Sequence, residues 1–226
     1  MQYQILYQPS YSLAVVNLDP GEEIQAESGA MVSMSSNISL QSEMKGGFFG
    51  ALKRSVLGGE SFFTSRFRAD GGPGEVTLAP TLPGDIAALD LAGHTMFLKS
   101  GSYLAASAGL AIDSQWGGAR GFFGGAGLFL LRVSGHGTVL FNTYGALHWK
   151  QLAAGERYVV DTWHVVAFSD GMGFQVKKAA AGWLATATSG EGFVCEFTGP
   201  GILYMQTRNE QSFVNWLIPR LPQRGS

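Results

Sequence analysis

The chain has 226 residues, 46% of them hydrophobic and only 14% charged, with a net charge of −2 at pH 7. It is long enough to bury a sizeable core unaided, too apolar for a disordered chain, and too close to neutral to carry the electrostatic footprint of a nucleic-acid binder. One cysteine, Cys195, excludes a disulfide framework within the chain and fits a reducing compartment.

The opening MQYQILYQPSYSLAVV lacks a basic start and interrupts its apolar residues with Gln, Tyr, Pro and Ser, so it does not read as a signal peptide. No apolar run approaches the roughly 18 residues that cross a bilayer. A cytoplasmic protein is expected.

From Gly21 the chain reads GEEIQAESGAMVSMSSNISL, with apolar residues two apart and turn residues between them, which predicts short strands. Without gaps it lies on GHTMFLKSGSYLAASAGLAI from Gly93 and on GERYVVDTWHVVAFSDGMGF from Gly155. Ile24, Met96 and Tyr158 then coincide, as do Ser28, Ser100 and Thr162, and Val32, Leu104 and Val166. The hydroxyls of the second set are expected to bond local backbone at a turn. Glu22, Glu23 and Glu27 fall at what reads as a solvent-facing corner.

A second half follows each copy. GGESFF, GGAGLF and SGEGFV open alternating runs, which pass Gly-rich corners (RADGGPG, SGHG, TGPG) into EVTLAP, TVLFNT and ILYMQT. Cys195 alternates with Phe193 and Phe197 there, the place of a buried strand thiol. The prediction is an all-β chain, one compact unit of three repeats at about 12–80, 84–144 and 146–207, with a tail at 208–226. One half-buried sheet per repeat needs the others to cover it, which predicts a pseudo-threefold arrangement about a common core.

Helical spacing is confined to the insert FFGALKRSVL at 48–57 and the tail QSFVNWLIPRLP, where Pro219 limits a helix to about two turns. The insert is no phosphate loop, because Lys53 is misplaced in the glycine frame and Arg54 follows it. RGFFGGAG at 120–127 looks like an RNA-binding strand, but adjacent Phe122 and Phe123 would point to opposite faces. The four histidines lack metal-ligand spacing, and a strand running on from Tyr158 would send Asp161 and His164 to opposite faces. No nucleophile elbow is present. Catalytic, metal and cofactor residues are therefore expected to be none. The candidate interaction surface comprises Phe48, Phe49, Lys53, Arg54, Arg120, Phe122, Phe123, Phe213 and Trp216.

In order, GE-x-I-x-AESGAMVSMS, KGGFFGALKR, LGGESFF, PGDIAALDLAG, FLKSGSYLA, FLLRVSGHGTV, VDTWHVVAFSDGM and YMQTRN resemble the altered inheritance of mitochondria family over nearly the whole chain. The resemblance implies a β fold similar to the tryptophan RNA-binding attenuation protein, of sandwich or double-stranded β-helix character. Three related β modules would surround a pseudo-threefold axis. It implies no established enzyme activity and no cofactor, and associates mitochondrial members with inner-membrane organisation. Unlike those members, this chain is expected to have no targeting extension. The expected function is non-enzymatic binding or scaffolding as a homo-oligomer, with a protein partner or membrane surface. The alternative is a small-ligand binder, and RNA binding by fold analogy ranks third.

Overall fold

The protein is described from a computed structural model covering residues 1–43, 64–113, 122–123, 128–179 and 192–222. It is an all-β fold of antiparallel sheets with one short α-helix among the described residues. The first stretch of chain forms β1 (Gln2–Leu6), β2 (Leu13–Leu18), β3 (Glu23–Glu27), β4 (Met31–Met34), β5 (Ile38–Glu43), β6 (Thr64–Ala69) and β7 (Gly74–Leu78). The second forms β8 (Ile86–Asp90), β9 (Thr95–Lys99), β10 (Tyr103–Ser107), β11 (Leu110–Asp113), β12 (Phe122–Phe123), β13 (Leu128–Gly135) and β14 (Thr138–Asn142). The third forms β15 (Leu147–Leu152), β16 (Arg157–Asp161), β17 (Val165–Ser169), β18 (Gly173–Lys178), β19 (Phe193–Thr198) and β20 (Gly201–Gln206), followed by α1 (Glu210–Leu217).

The pairings follow one pattern in all three stretches. A central strand holds two neighbours in β5-β6-β3, β11-β13-β9 and β18-β19-β16. A second set is β2-β7-β4, β8-β14-β10 and β15-β20-β17. In this second set the register shifts at one place each time, between Met31 and Ser33, Tyr103 and Ala105, and Val165 and Ala167. Such a bulge bends the strand and increases its twist.

Consecutive stretches share sheets. β3 pairs with β10, making the sheet β5-β6-β3-β10-β14-β8, and β9 pairs with β17, making β11-β13-β9-β17-β20-β15. The remaining strands form β1-β2-β7-β4 and β16-β19-β18, whose edge strands β4 and β16 are not paired to each other.

Alternating residues on these strands fill three apolar clusters, around Ile24 and Phe67, around Met96 and Val133, and around Phe168 and Phe197. The first two draw residues from the following stretch: Leu104 and Leu140 enter the first, Val166 and Ala167 the second. Cys195 is fully buried in the third, where burial and then the Asp161 charge push its thiol up to about 12.

Corners explain two sets of glycines. Gly21, Gly93 and Gly155 hold φ of +80°, +91° and +76°, which side chains rarely adopt. Gly84 forms a parallel bridge with Gly145, and a Cβ there would run into the Thr143 carbonyl.

Two local expectations are corrected. The Ser28 hydroxyl meets Ser65 Oγ at 3.3 Å and Thr162 Oγ1 donates to the Phe193 carbonyl at 3.2 Å, so these hydroxyls bridge strands rather than close a local turn. β16 ends at Asp161 and residues 162–164 form a 3-10 turn, so strand alternation does not extend to His164.

Candidate interaction surface

The tail helix α1 is started by Asn209, whose side chain accepts the Ser212 N–H at 2.6 Å, and it carries Glu210 in its first turn. Pro219 lies in the 3-10 turn that follows, and the helix stops after about two turns. No residue of α1 is buried. Trp216 is 54% exposed, and Phe213, Val214, Ile218 and Leu221 are exposed beside it. Phe213 stacks on Trp216 with centroids 6.2 Å apart and meets Tyr144 edge-on at 6.3 Å. The Arg220 guanidinium lies 4.5 Å over the Trp216 ring. Phe213 and Trp216 thus form one surface patch.

A polar cluster roots that tail. Buried Lys99 places Nζ 3.4 Å from Glu210 Oε2 and 5.5 Å from the centroid of the Trp163 ring. Gln206 Nε2 donates to the Trp163 carbonyl at 2.9 Å, and the Gln206 carbonyl meets His164 Nδ1 at 2.7 Å. His164 Nε2 lies 3.1 Å from Asn209 Nδ2. A neutral ring protonated on Nδ1 satisfies both contacts, donating to the carbonyl and accepting from the amide. The cluster is internally matched, and its geometry is that of an anchor.

Of the other candidate residues, Phe48, Phe49, Lys53, Arg54 and Arg120 lie outside the described residues. Phe122 and Phe123 form β12 and pair with Phe129 and Leu128 of β13, as neighbours on one strand.

Residues that the sequence did not single out stand on the β4 and β16 edges, each of which has a strand neighbour on one side only among the described residues. All four residues of β4 are exposed, with Val32 at 58% and Met31 and Met34 beside it. On β16, Val159 is 55% exposed. Its neighbours are held by ions: Arg157 and Lys177 both pair with Glu196, and these two partners, Arg157 first, hold the Glu196 carboxyl below its ordinary range. Tyr158, Phe174 and Val176 behind this edge are only half-buried.

Glu27 corrects the corner reading. Glu27 is half-buried at the end of β3, and burial pushes its carboxyl up to about 7. The neighbouring Tyr103 hydroxyl donates to the Gln25 carbonyl at 2.7 Å, and burial followed by the Glu27 charge raises this phenol too.

Among the described residues no group of three His, Cys, Asp or Glu side chains could hold a metal ion, and no helix is long and apolar enough to cross a membrane. A shallow open cleft of about 300 Å³ is lined by Gln2, Asn17, Asp19, Ser35 and Glu75 among others.

Comparison with known proteins places these surfaces in context. A family model described as Mitochondrial biogenesis AIM24 matches residues 3–208. An uncharacterized protein of Streptococcus pyogenes serotype M6 is 31% identical over 230 residues, covering 98% of this chain and 92% of its own. An X-ray crystal structure of a Streptococcus pyogenes protein is similar at a TM-score of 0.81 and 29% identity, over 97% of this chain and 99% of that one.

Proposed function

From the premise that this chain belongs to the Mitochondrial biogenesis AIM24 family, we propose that it works by association rather than catalysis, as a binding or scaffolding protein whose active form is an oligomer of this chain. The observation that carries the reading is the bare β4 edge, where Met31, Val32, Ser33 and Met34 are all exposed. An exposed apolar edge strand is a template for another chain, and soluble proteins ordinarily bury or blunt it. The triple recurrence of the strand pairings supports reading the chain as three repeats of one module.

The test is the mass of the purified protein by light scattering coupled to size exclusion. A mass that is a multiple of 24.1 kDa across a dilution series supports the reading, and a monodisperse monomer at all concentrations rejects it. The cleft lined by Asn17, Asp19, Ser35 and Glu75 favours a second reading, a site for a small polar ligand. A thermal shift across a metabolite panel that disappears in Asp19→Ala supports that reading, and a flat panel rejects it.

A further inference from the structure

Resting on the oligomeric reading, we propose that copies of this chain join head to tail. The β4 edge of one copy pairs antiparallel with the β16 edge of a second copy, in the register that the chain uses twice within itself.

The two internal junctions supply the template. Where β10 meets β3, Ala105 stands opposite Ala26, Ala106 opposite Gln25 and Ser107 opposite Ile24. Where β17 meets β9, Ala167 stands opposite Leu98, Phe168 opposite Phe97 and Ser169 opposite Met96. β4 is held by β7 as β10 is by β14 and β17 by β20, down to the position of the register shift. β16 is held by β19 as β3 is by β6 and β9 by β13. The two bare edges are therefore the two halves of one further junction. Carrying the register over sets Ser33 of one copy against Val160 of the second, Met34 against Val159, and Ser35 against Tyr158.

Side chains fit the same assignment. At the β9/β17 junction Phe97 and Phe168 lie 5.2 Å apart between centroids and both are buried. Met34 and Val159 occupy that place at the open ends and both are exposed. Val32 occupies the place of Leu104 and Val166, which enter the clusters of the preceding stretch. On its free side β4 has no strand among the described residues, and Val32 faces water; behind the β16 edge, half-buried Tyr158, Phe174 and Val176 form the corresponding floor. The residues at 31–35 carry no charge that would be stranded by burial. Because the joined edges differ, the contact is heterologous, and each added copy leaves one edge of each kind until rotation closes a ring.

The test uses two full-length variants, Met34→Lys to block β4 and Val159→Lys to block β16, with light scattering and native mass spectrometry for size and circular dichroism for the fold. The wild type is expected to be oligomeric. Each variant alone is expected to be a folded monomer, and an equimolar mixture is expected to give a dimer and nothing larger, because one intact edge of each kind remains. A wild-type oligomer that neither variant disturbs overturns the head-to-tail junction and leaves the oligomeric reading standing. A wild-type monomer overturns both. Variants that dissociate singly but fail to complement each other overturn the pairing of unlike edges. Should either lysine lower the melting temperature sharply, Val32→Ser and Val159→Ser enter the same mixing experiment.

Discussion

Phe97 on β9 and Val159 on β16 occupy matching places on strands held in the same way from one side, yet Phe97 is 5% exposed and Val159 55%. On its other side β9 has β17, whereas β16 ends its sheet. The contrast between the closed junctions and the open ends shows that burial here is decided by what lies beyond a strand as much as by its own residue pattern. An apolar residue that keeps half of its surface in water gains only part of the hydrophobic stabilisation that a buried one gains.

Cutting into a closed junction should have the largest effect. Phe97→Ala removes a buried ring packed against Phe168 and should lower unfolding free energy by about 3–5 kcal/mol, measured by urea denaturation. Glu210→Ala takes the carboxylate from buried Lys99 and should cost about 1–3 kcal/mol, discounted because Glu210 itself is partly exposed; in the same variant the Trp163 fluorescence should change.

A third experiment sharpens the contrast through pH. Glu27 has a folded value of about 7 against an ordinary 4.5, so the folded protein holds a proton that the unfolded chain has released. Its contribution to stability is full below about pH 4.5 and is lost as pH rises through about 7. Urea midpoints of the wild type should fall across that window relative to those of Glu27→Gln. If the two profiles run parallel, burial does not raise the Glu27 carboxyl. The smallest effect belongs to the open end: Val159→Ala should shift the stability of the isolated chain by no more than about 0.5 kcal/mol, because little packing is lost. A large loss would mean that β16 already has a partner.

Much of this architecture was legible in the sequence, because a period of two with Gly-rich corners leaves few choices but short antiparallel strands. Cys195 fell on a buried strand position, and Pro219 marked the end of the tail helix. The open ends were not legible. Val32, Leu104 and Val166 are alike in pattern, and their difference arises only from which strands precede them in space. Glu27 misled for the opposite reason: a run of Glu residues reads as a wet corner, but β3 lies between β6 and β10 in the middle of a sheet. Ser28 and Thr162 look like turn hydroxyls until their cross-strand partners Ser65 and Phe193 are in place. Of the candidate surface, Phe213 and Trp216 were found in contact and exposed, because an apolar stripe beside a helix-ending proline has no core to enter.

The shared sheets also bear on how such a chain is made. β3 waits for β10, and β9 waits for β17, more than sixty residues later in synthesis. A nascent chain released only as far as Asn142 would carry β9 with β13 on one side and nothing on the other. Each stretch must therefore remain unaggregated until the next one emerges to cover it, and folding dominated by such distant pairings is slow. Truncation between the stretches should accordingly yield sticky fragments rather than small independent domains.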